Sequence, residues 1–191
     1  MRYILLILLY FPTISLADTT ALWDIQHLMN DLASVKEKRA KFVEQKYLKV
    51  LKQPLESSGT LLFQAPARLE KITLHPKAES FIFDQDVLSI HIESRNIKRT
   101  LKLHDYPEIG AFIESIRATL AGDLSALTRF YSYQLEGNAT HWQLTLLPIE
   151  SKFRKVVSEI HLIGHGAHVD SIKTIDTNGD HTVMKITEDL Q

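Results

Sequence analysis

Between residues 41 and 104, apolar side chains recur at alternate positions and are interrupted by short polar clusters about ten residues apart. That period and that punctuation predict strands near 41–52, 58–65, 68–75, 79–84, 87–93 and 97–104, joined as an antiparallel meander. Asp84-Gln85-Asp86 and Arg95-Asn96 supply two of the turns. On either side the period lengthens. Leu22, Ile25, Leu28, Met29 and Leu32 share one face of a helix over Thr19 to Ser34, with Asp18 or Thr19 as its cap and Lys36 to Lys41 as a basic connector. From Pro107, Ile109, Phe112, Ile113, Ile116 and Leu120 mark a second helix ending at Gly122, after which Asp123 caps a short helix carrying Leu124 and Leu127. Strands resume at 129–136 and 139–147, joined by Glu136-Gly137-Asn138, and continue at 155–164, 167–175 and 181–187. Gly164 to Gly166 and a type I′ turn at Asn178-Gly179 separate the last three.

The expected fold is therefore mainly β with helices, in the α+β class. One antiparallel sheet of about ten strands must twist and curl, and one of its faces needs an apolar cover. The segments 20–34 and 108–128 are the available cover. If they fill the concave face, the result is an ordinary core; if they fill it in part, a hydrophobic cavity remains.

Alternate residues on a strand share a face, so one sheet collects a set of inward candidates. They are Leu61 and Phe63, Ile72 and Leu74, Phe81 and Phe83, Leu88 and Ile90, and Leu101 and Leu103 in the first group of strands. Tyr131, Tyr133, Trp142, Leu144 and Leu146 follow in the second, with Ile109, Phe112, Ile113 and Ile116 on the helical cover. From sequence alone these side chains are as compatible with plain core as with a ligand-binding wall. A cavity of this kind would stabilise an acyl chain of about sixteen carbons against water by on the order of 12 kcal/mol, at roughly 0.8 kcal/mol per CH₂.

Composition and compartment narrow the setting. Arg2, the apolar run Ile4 to Ile14 and the small residues Ser15 and Ala17 read as a cleavable export signal over 1–17, leaving 18–191 as one domain. There is no cysteine among the 191 residues, hence no disulfide and no lipid-accepting thiol. A net charge of −1 implies no nucleic-acid partner.

The stretch QPLESSGTLLFQAPARLEKITLHP, Gln53 to Pro76, resembles the opening strands of the LolA family of periplasmic lipoprotein carriers. The resemblance extends from Trp23 to Ile186 through the order of its parts: the Gly59 to Pro66 strand, the Asp84-Gln85-Asp86 turn, the helical insertion, the Trp142 to Pro148 strand and the Asn-Gly hairpin. It implies an incomplete, half β-barrel under a helical lid, and a monomeric periplasmic protein without catalytic activity, metal or cofactor. It also implies cargo in the form of an acylated lipoprotein, lipid or glycolipid, taken from an energised inner-membrane donor and passed to an outer-membrane acceptor. In the best-known carriers an arginine before the strand-ending proline helps hold the lid closed; here Ala65 stands at that position, and Arg68 lies three residues on. The alternative role is a periplasmic sensor or adaptor that uses the same half-barrel for a protein partner. Such sensors usually carry a second domain, and the chain ends soon after its last strand, which favours the carrier.

Other chemistry is sparsely represented. His161, His165 and His168 in HLIGHGAH invite a metal reading, but the glycines argue against a helix aligning them and no further ligand completes a tetrahedral set. Asp176 to Asp180 has alternating oxygen ligands like a calcium loop, with its glycine too early and Thr187 where a closing glutamate is needed. No nucleophile elbow, zinc-protease motif or phosphate-binding glycine loop occurs.

Overall fold

The computed structural model describes residues 23–189; the expected export signal and the expected helix start at 19–22 lie outside the described residues. The first helix, α1 (Ile25–Ser34), begins at a different cap from the one expected. The Asp24 carboxylate accepts from the amides of Gln26 and His27 at 3.0 and 3.1 Å, satisfying two of the free donors at the helix start. Its buried face is Leu28, Met29 and Leu32.

Five further strands follow β1 (Glu37–Tyr47) as a meander: β2 (Leu55–Gln64), β3 (Arg68–His75), β4 (Glu79–Asp84), β5 (Val87–Ile92) and β6 (Ile97–Lys102). The basic stretch expected as a connector is thus strand. Its charges are met by the end of the chain, Lys38 Nζ lying 2.5 Å from Glu188 and Lys41 Nζ 2.9 Å from Asp189. Next come α2 (Pro107–Leu120) and α3 (Leu124–Leu127), then β7 (Tyr131–Asn138), β8 (His141–Pro148), β9 (Glu159–His165), β10 (His168–Ile175) and β11 (His181–Glu188). Residues 155–158, expected as strand, are taken up by a 3₁₀ turn at Phe153–Lys155 and its exit.

The described residues form one sheet of eleven strands, all pairs antiparallel, in the order β6-β5-β4-β3-β2-β1-β11-β10-β9-β8-β7. Strands β6 and β7 are therefore opposite edges. The sheet stays open, and the chain passes from one edge to the other through α2 and α3. Bulges at Ser58/Gly59 and Val169/Ser171 add local bend to the ordinary twist. The outcome is the curved half-barrel with a helical lid.

Two turns differ from expectation. The β7–β8 connection is Ala139-Thr140, because Gly137 and Asn138 still pair with Trp142 and His141, and the Asn138 side chain accepts from the Thr140 amide at 2.9 Å. The β10–β11 connection is a five-residue loop instead of a type I′ turn. Only Gly179 (φ 82) takes the left-handed conformation there, and the Asp176 amide donates to the Asp180 carbonyl at 2.9 Å. Gly122 (φ 66) ends α2 where any side chain would collide, since an added Cβ would lie 2.1 Å from the Met29 carbonyl oxygen of α1.

Candidate ligand-binding face

Register identifies the residues that share the helix-covered, inner face. One row crosses five strands as Phe63, Leu69, Phe83, Leu88 and Leu101, each directly opposite the next. The next row runs Leu61, Lys71, Phe81, Ile90 and Arg99, and the third Gly59, Thr73, Glu79, Ile92 and Ile97. The face is wholly apolar in the first row and becomes mixed with distance from it.

Helix α2 lies over this face with two apolar stripes. Ile109 and Ile113 pack on a cluster of Phe83, Leu88 and Leu103, with Leu69, Phe81, Ile90 and Leu101 partly buried around it. Phe112, Ile116 and Leu120 turn to a larger cluster on the other arm of the sheet. Spacings of four within each stripe and three between them give one helix two buried edges. Leu103 belongs to a 3₁₀ turn (Leu103–Asp105) at the end of β6, so it reaches the cluster from outside the sheet.

The structure redistributes the residues expected to line a cavity. Phe81, Phe83, Leu88, Ile90, Leu101, Leu103, Ile109 and Ile113 converge around the first half of α2, with Phe63 at the β2 end of the apolar row and Leu61 in the neighbouring row. Ile72 does not, because it stands opposite Thr60 and Ser80 on the outer face; Leu74 falls at the bulge and is 53 % exposed. Apolarity misleads on β3, whose inward residues are Leu69, Lys71 and Thr73. Tyr131, Trp142, Leu144 and Leu146 are inward but sealed in a closed core with Leu28, Met29, Leu32 and Leu127. Tyr133 shares their face at the open edge and is part exposed. In that core the Tyr131 hydroxyl is pushed up to about 12 by burial. Gly164 admits the Trp142 ring, which a Cβ would meet at 2.4 Å, and the indole N–H donates to the Gly166 carbonyl at 3.0 Å.

An ion pair sits at the centre of the inner face. Lys71 Nζ is 2.6 Å from Glu44 Oε2 and 5.0 Å from the centroid of the buried Phe42 ring. The alternation Ala40, Phe42, Glu44 places the acid inward, but the pairing needs a register with β3 that no local pattern reports.

Arg117 fastens the lid. Its guanidinium, 12 % exposed, makes two hydrogen bonds of 2.7 Å to Glu114, one of 3.3 Å to Asp123 and one of 2.9 Å to the Pro66 carbonyl in the β2–β3 turn. The Glu114 bond, then Asp123, hold its pKa above the ordinary arginine value. Ala65 thus leaves the turn without a cation of its own, and the lid supplies one to the adjacent residue. Arg68 instead pairs with Glu70 and Asp84 along its own hairpin.

The histidines are dispersed. His165 and His168 stack at 5.0 Å and bind Asp170 and Glu188 separately, while His161 pairs with Glu159. Among the described residues, no group of three such side chains converges to hold a metal. Two surface depressions lie off the inner apolar row. One of about 140 Å³ is lined by Arg39, Leu62, Glu70 and Ile72, and one of about 280 Å³ is at the rim between Pro66, Arg68 and Asp84. Both fall below the roughly 300 Å³ at which ligand pockets usually start.

No curated protein matches the chain. Among solved structures, a LolA superfamily protein from Nitrosomonas europaea aligns at 10 % identity over 87 % of this chain and 94 % of its own, with a TM-score of 0.43. A putative outer membrane lipoprotein-sorting protein domain from Vibrio parahaemolyticus aligns at 10 % identity over 86 % and 89 %, with a TM-score of 0.46. MucB aligns at 12 % identity over 84 % of this chain and 56 % of its own, with a TM-score of 0.44. The profile of the family described as "Outer membrane lipoprotein carrier protein LolA-like" matches residues 17–187. With that match spanning nearly the whole open, lidded sheet, the chain belongs to the LolA-like family of periplasmic lipoprotein-binding and related proteins.

Proposed function

We propose that the protein is an exported periplasmic carrier that takes up acyl chains of a lipoprotein, lipid or glycolipid between α2 and strands β3–β6. It receives them from an energised inner-membrane donor and yields them to an outer-membrane acceptor. The observation that carries this is the apolar row from Leu69 to Leu101, whose cover is α2 and the adjoining 3₁₀ turn. Transfer from bilayer to protein exchanges one apolar surrounding for another, so energy has to come from the donor. With α2 packed down, cargo enters by parting Ile109 and Ile113 from Phe81, Ile90 and Leu101, and the Arg117 to Pro66 bond resists that step.

Binding of a fluorescent fatty acid tests the reading in wild type, Leu101→Glu, Ile113→Glu and the exposed control Lys98→Glu. A carboxylate in the apolar row, or on the α2 face packed against it, costs several kcal/mol unless it reaches water or a proton, so both inner variants should lose binding more than about tenfold while the control keeps it. A folded wild type that binds no acyl ligand, or inner variants that fold and bind unchanged, would remove the basis for a carrier. The second reading, a protein partner on the same face, draws on the Glu44–Lys71 and Lys38–Glu188 pairs, whose polar chemistry suits a peptide better than an acyl chain.

A further inference from the structure

Strand β2 separates two turns of different chemistry. Its C-terminal end meets the Pro66 turn under α2, and its N-terminal end meets the loop that joins it to β1. With the strand residue at each end, that loop reads Tyr47-Leu48-Lys49-Val50-Leu51-Lys52-Gln53-Pro54-Leu55, with no acidic residue. Val50 is 88 % exposed, Leu55 53 % and Leu51 43 %. Single exposed apolar side chains are ordinary, whereas three within six residues at a loop tip form a patch.

The tip is held out by its own contacts. The Leu51 amide donates to the Leu48 carbonyl at 2.9 Å, and the Lys49 amide donates to Asp180 Oδ1 at 2.9 Å. Tyr47 stacks on His181 with centroids 4.5 Å apart. Lys46, Lys49 and Lys52 are exposed around the apolar residues. The neighbouring acids are Asp180, whose carboxylate accepts from the Lys49 amide and feels the charges of Lys49 and Lys46, and Glu56, which accepts from Gln45.

We propose that this loop docks on the surface of an anionic lipid bilayer, with Val50, Leu51 and Leu55 entering the acyl boundary and the three lysines meeting lipid phosphates. Charge and size both favour a bilayer over a protein. A stable protein interface needs roughly 1,000 Å² of buried surface, which a tip of this size does not offer, whereas a few apolar side chains ringed by lysines suffice at an anionic interface. The docking face is at the opposite end of β2 from the lid tether, so contact with the bilayer leaves α2 free to move. The assignment stands on the loop alone and not on acyl binding.

Flotation with phosphatidylcholine vesicles, with and without phosphatidylglycerol, tests it. The wild type should float with the anionic vesicles and stay behind with the neutral ones, and added salt should weaken the association. Val50→Asp/Leu51→Asp should lower partitioning at least about tenfold with an unchanged circular dichroism spectrum. Lys46→Gln/Lys49→Gln/Lys52→Gln should lower it on the order of tenfold and flatten the salt dependence. Val50→Trp should shift its emission to the blue on the anionic vesicles alone. No association of the wild type, equal association with both vesicles, or an unaffected Val50→Asp/Leu51→Asp variant would overturn the proposal. Self-association without vesicles that this variant abolishes would overturn it too, marking a protein interface. Fatty-acid binding reads the inner face separately, so either assignment can fail alone.

Discussion

On β8 and β9, Trp142, Leu144, Leu146, Ile160 and Leu162 are shut away from water beneath α1, α3 and the second half of α2. On β4 to β6, Phe81, Ile90 and Leu101 stay only partly buried beneath the first half of α2. Both arms present the same kind of side chain on the same face. The difference is cover: two helices and the second half of a third are spent on one arm, and about two turns of helix remain for the other. One arm is therefore the core that holds the fold, and the other keeps apolar surface under a single removable element. Fold stability and the proposed acyl binding should then respond to different substitutions.

Truncations should separate the arms most strongly. Leu144→Ala opens a hole in the closed arm and should cost about 3–5 kcal/mol in urea unfolding, while Leu101→Ala, whose side chain is already part solvated, should cost less than about 2 kcal/mol. Equal costs would mean that the arms are one core. In the acyl-binding assay the order should invert, Leu101→Ala weakening binding and Leu144→Ala leaving it intact in the folded fraction.

Arg117 tests the same contrast from the lid. Arg117→Met removes the bond to Pro66 and leaves Glu114 without its partner, at a cost of about 1–3 kcal/mol. Hydrogen exchange should speed up through α2 while the amides of β8 and β9 keep their protection. Uniform acceleration would show that α2 does not open on its own.

Sequence patterning locates these strands better than it assigns their faces. Strand limits at 68–75 and 79–84 coincide with expectation because polar turns such as Asp84-Gln85-Asp86 bound them on the chain itself. The inward set of β3 departs from expectation because Ile72 and Leu74 are its conspicuous apolar residues, whereas its inner face carries Leu69, Lys71 and Thr73. Lys71 is tolerable there only through Glu44, which lies 27 positions earlier and two strands away. The helix start was missed because Asp18, Thr19 and Asp24 are all good caps by type. The division between closed and loose arms depends on how three helices share one face, which no local period encodes.

The smallest expected effect lies at the joint between the lid and the closed arm. Asp123 caps α3, its carboxylate accepting from the Ala126 amide at 2.9 Å, and also contacts Arg117. The amide bond first, and Arg117 after it, hold its pKa below the ordinary 3.8. A carboxylate depressed in the folded state adds stability that is present above the unfolded value, about pH 4, and is lost as pH falls through the lower folded value. The side chain is 41 % exposed, so solvent screening keeps the charge-dependent share to about 0.5 kcal/mol. Asp123→Asn retains a capping oxygen without the charge. Its stability deficit relative to wild type should therefore be visible near neutral pH and shrink on acidification below pH 4, as measured by urea unfolding across that range. A deficit that stays constant with pH would place the value of Asp123 in the α3 cap alone, and leave Arg117 tied to the lid only through Glu114 and Pro66.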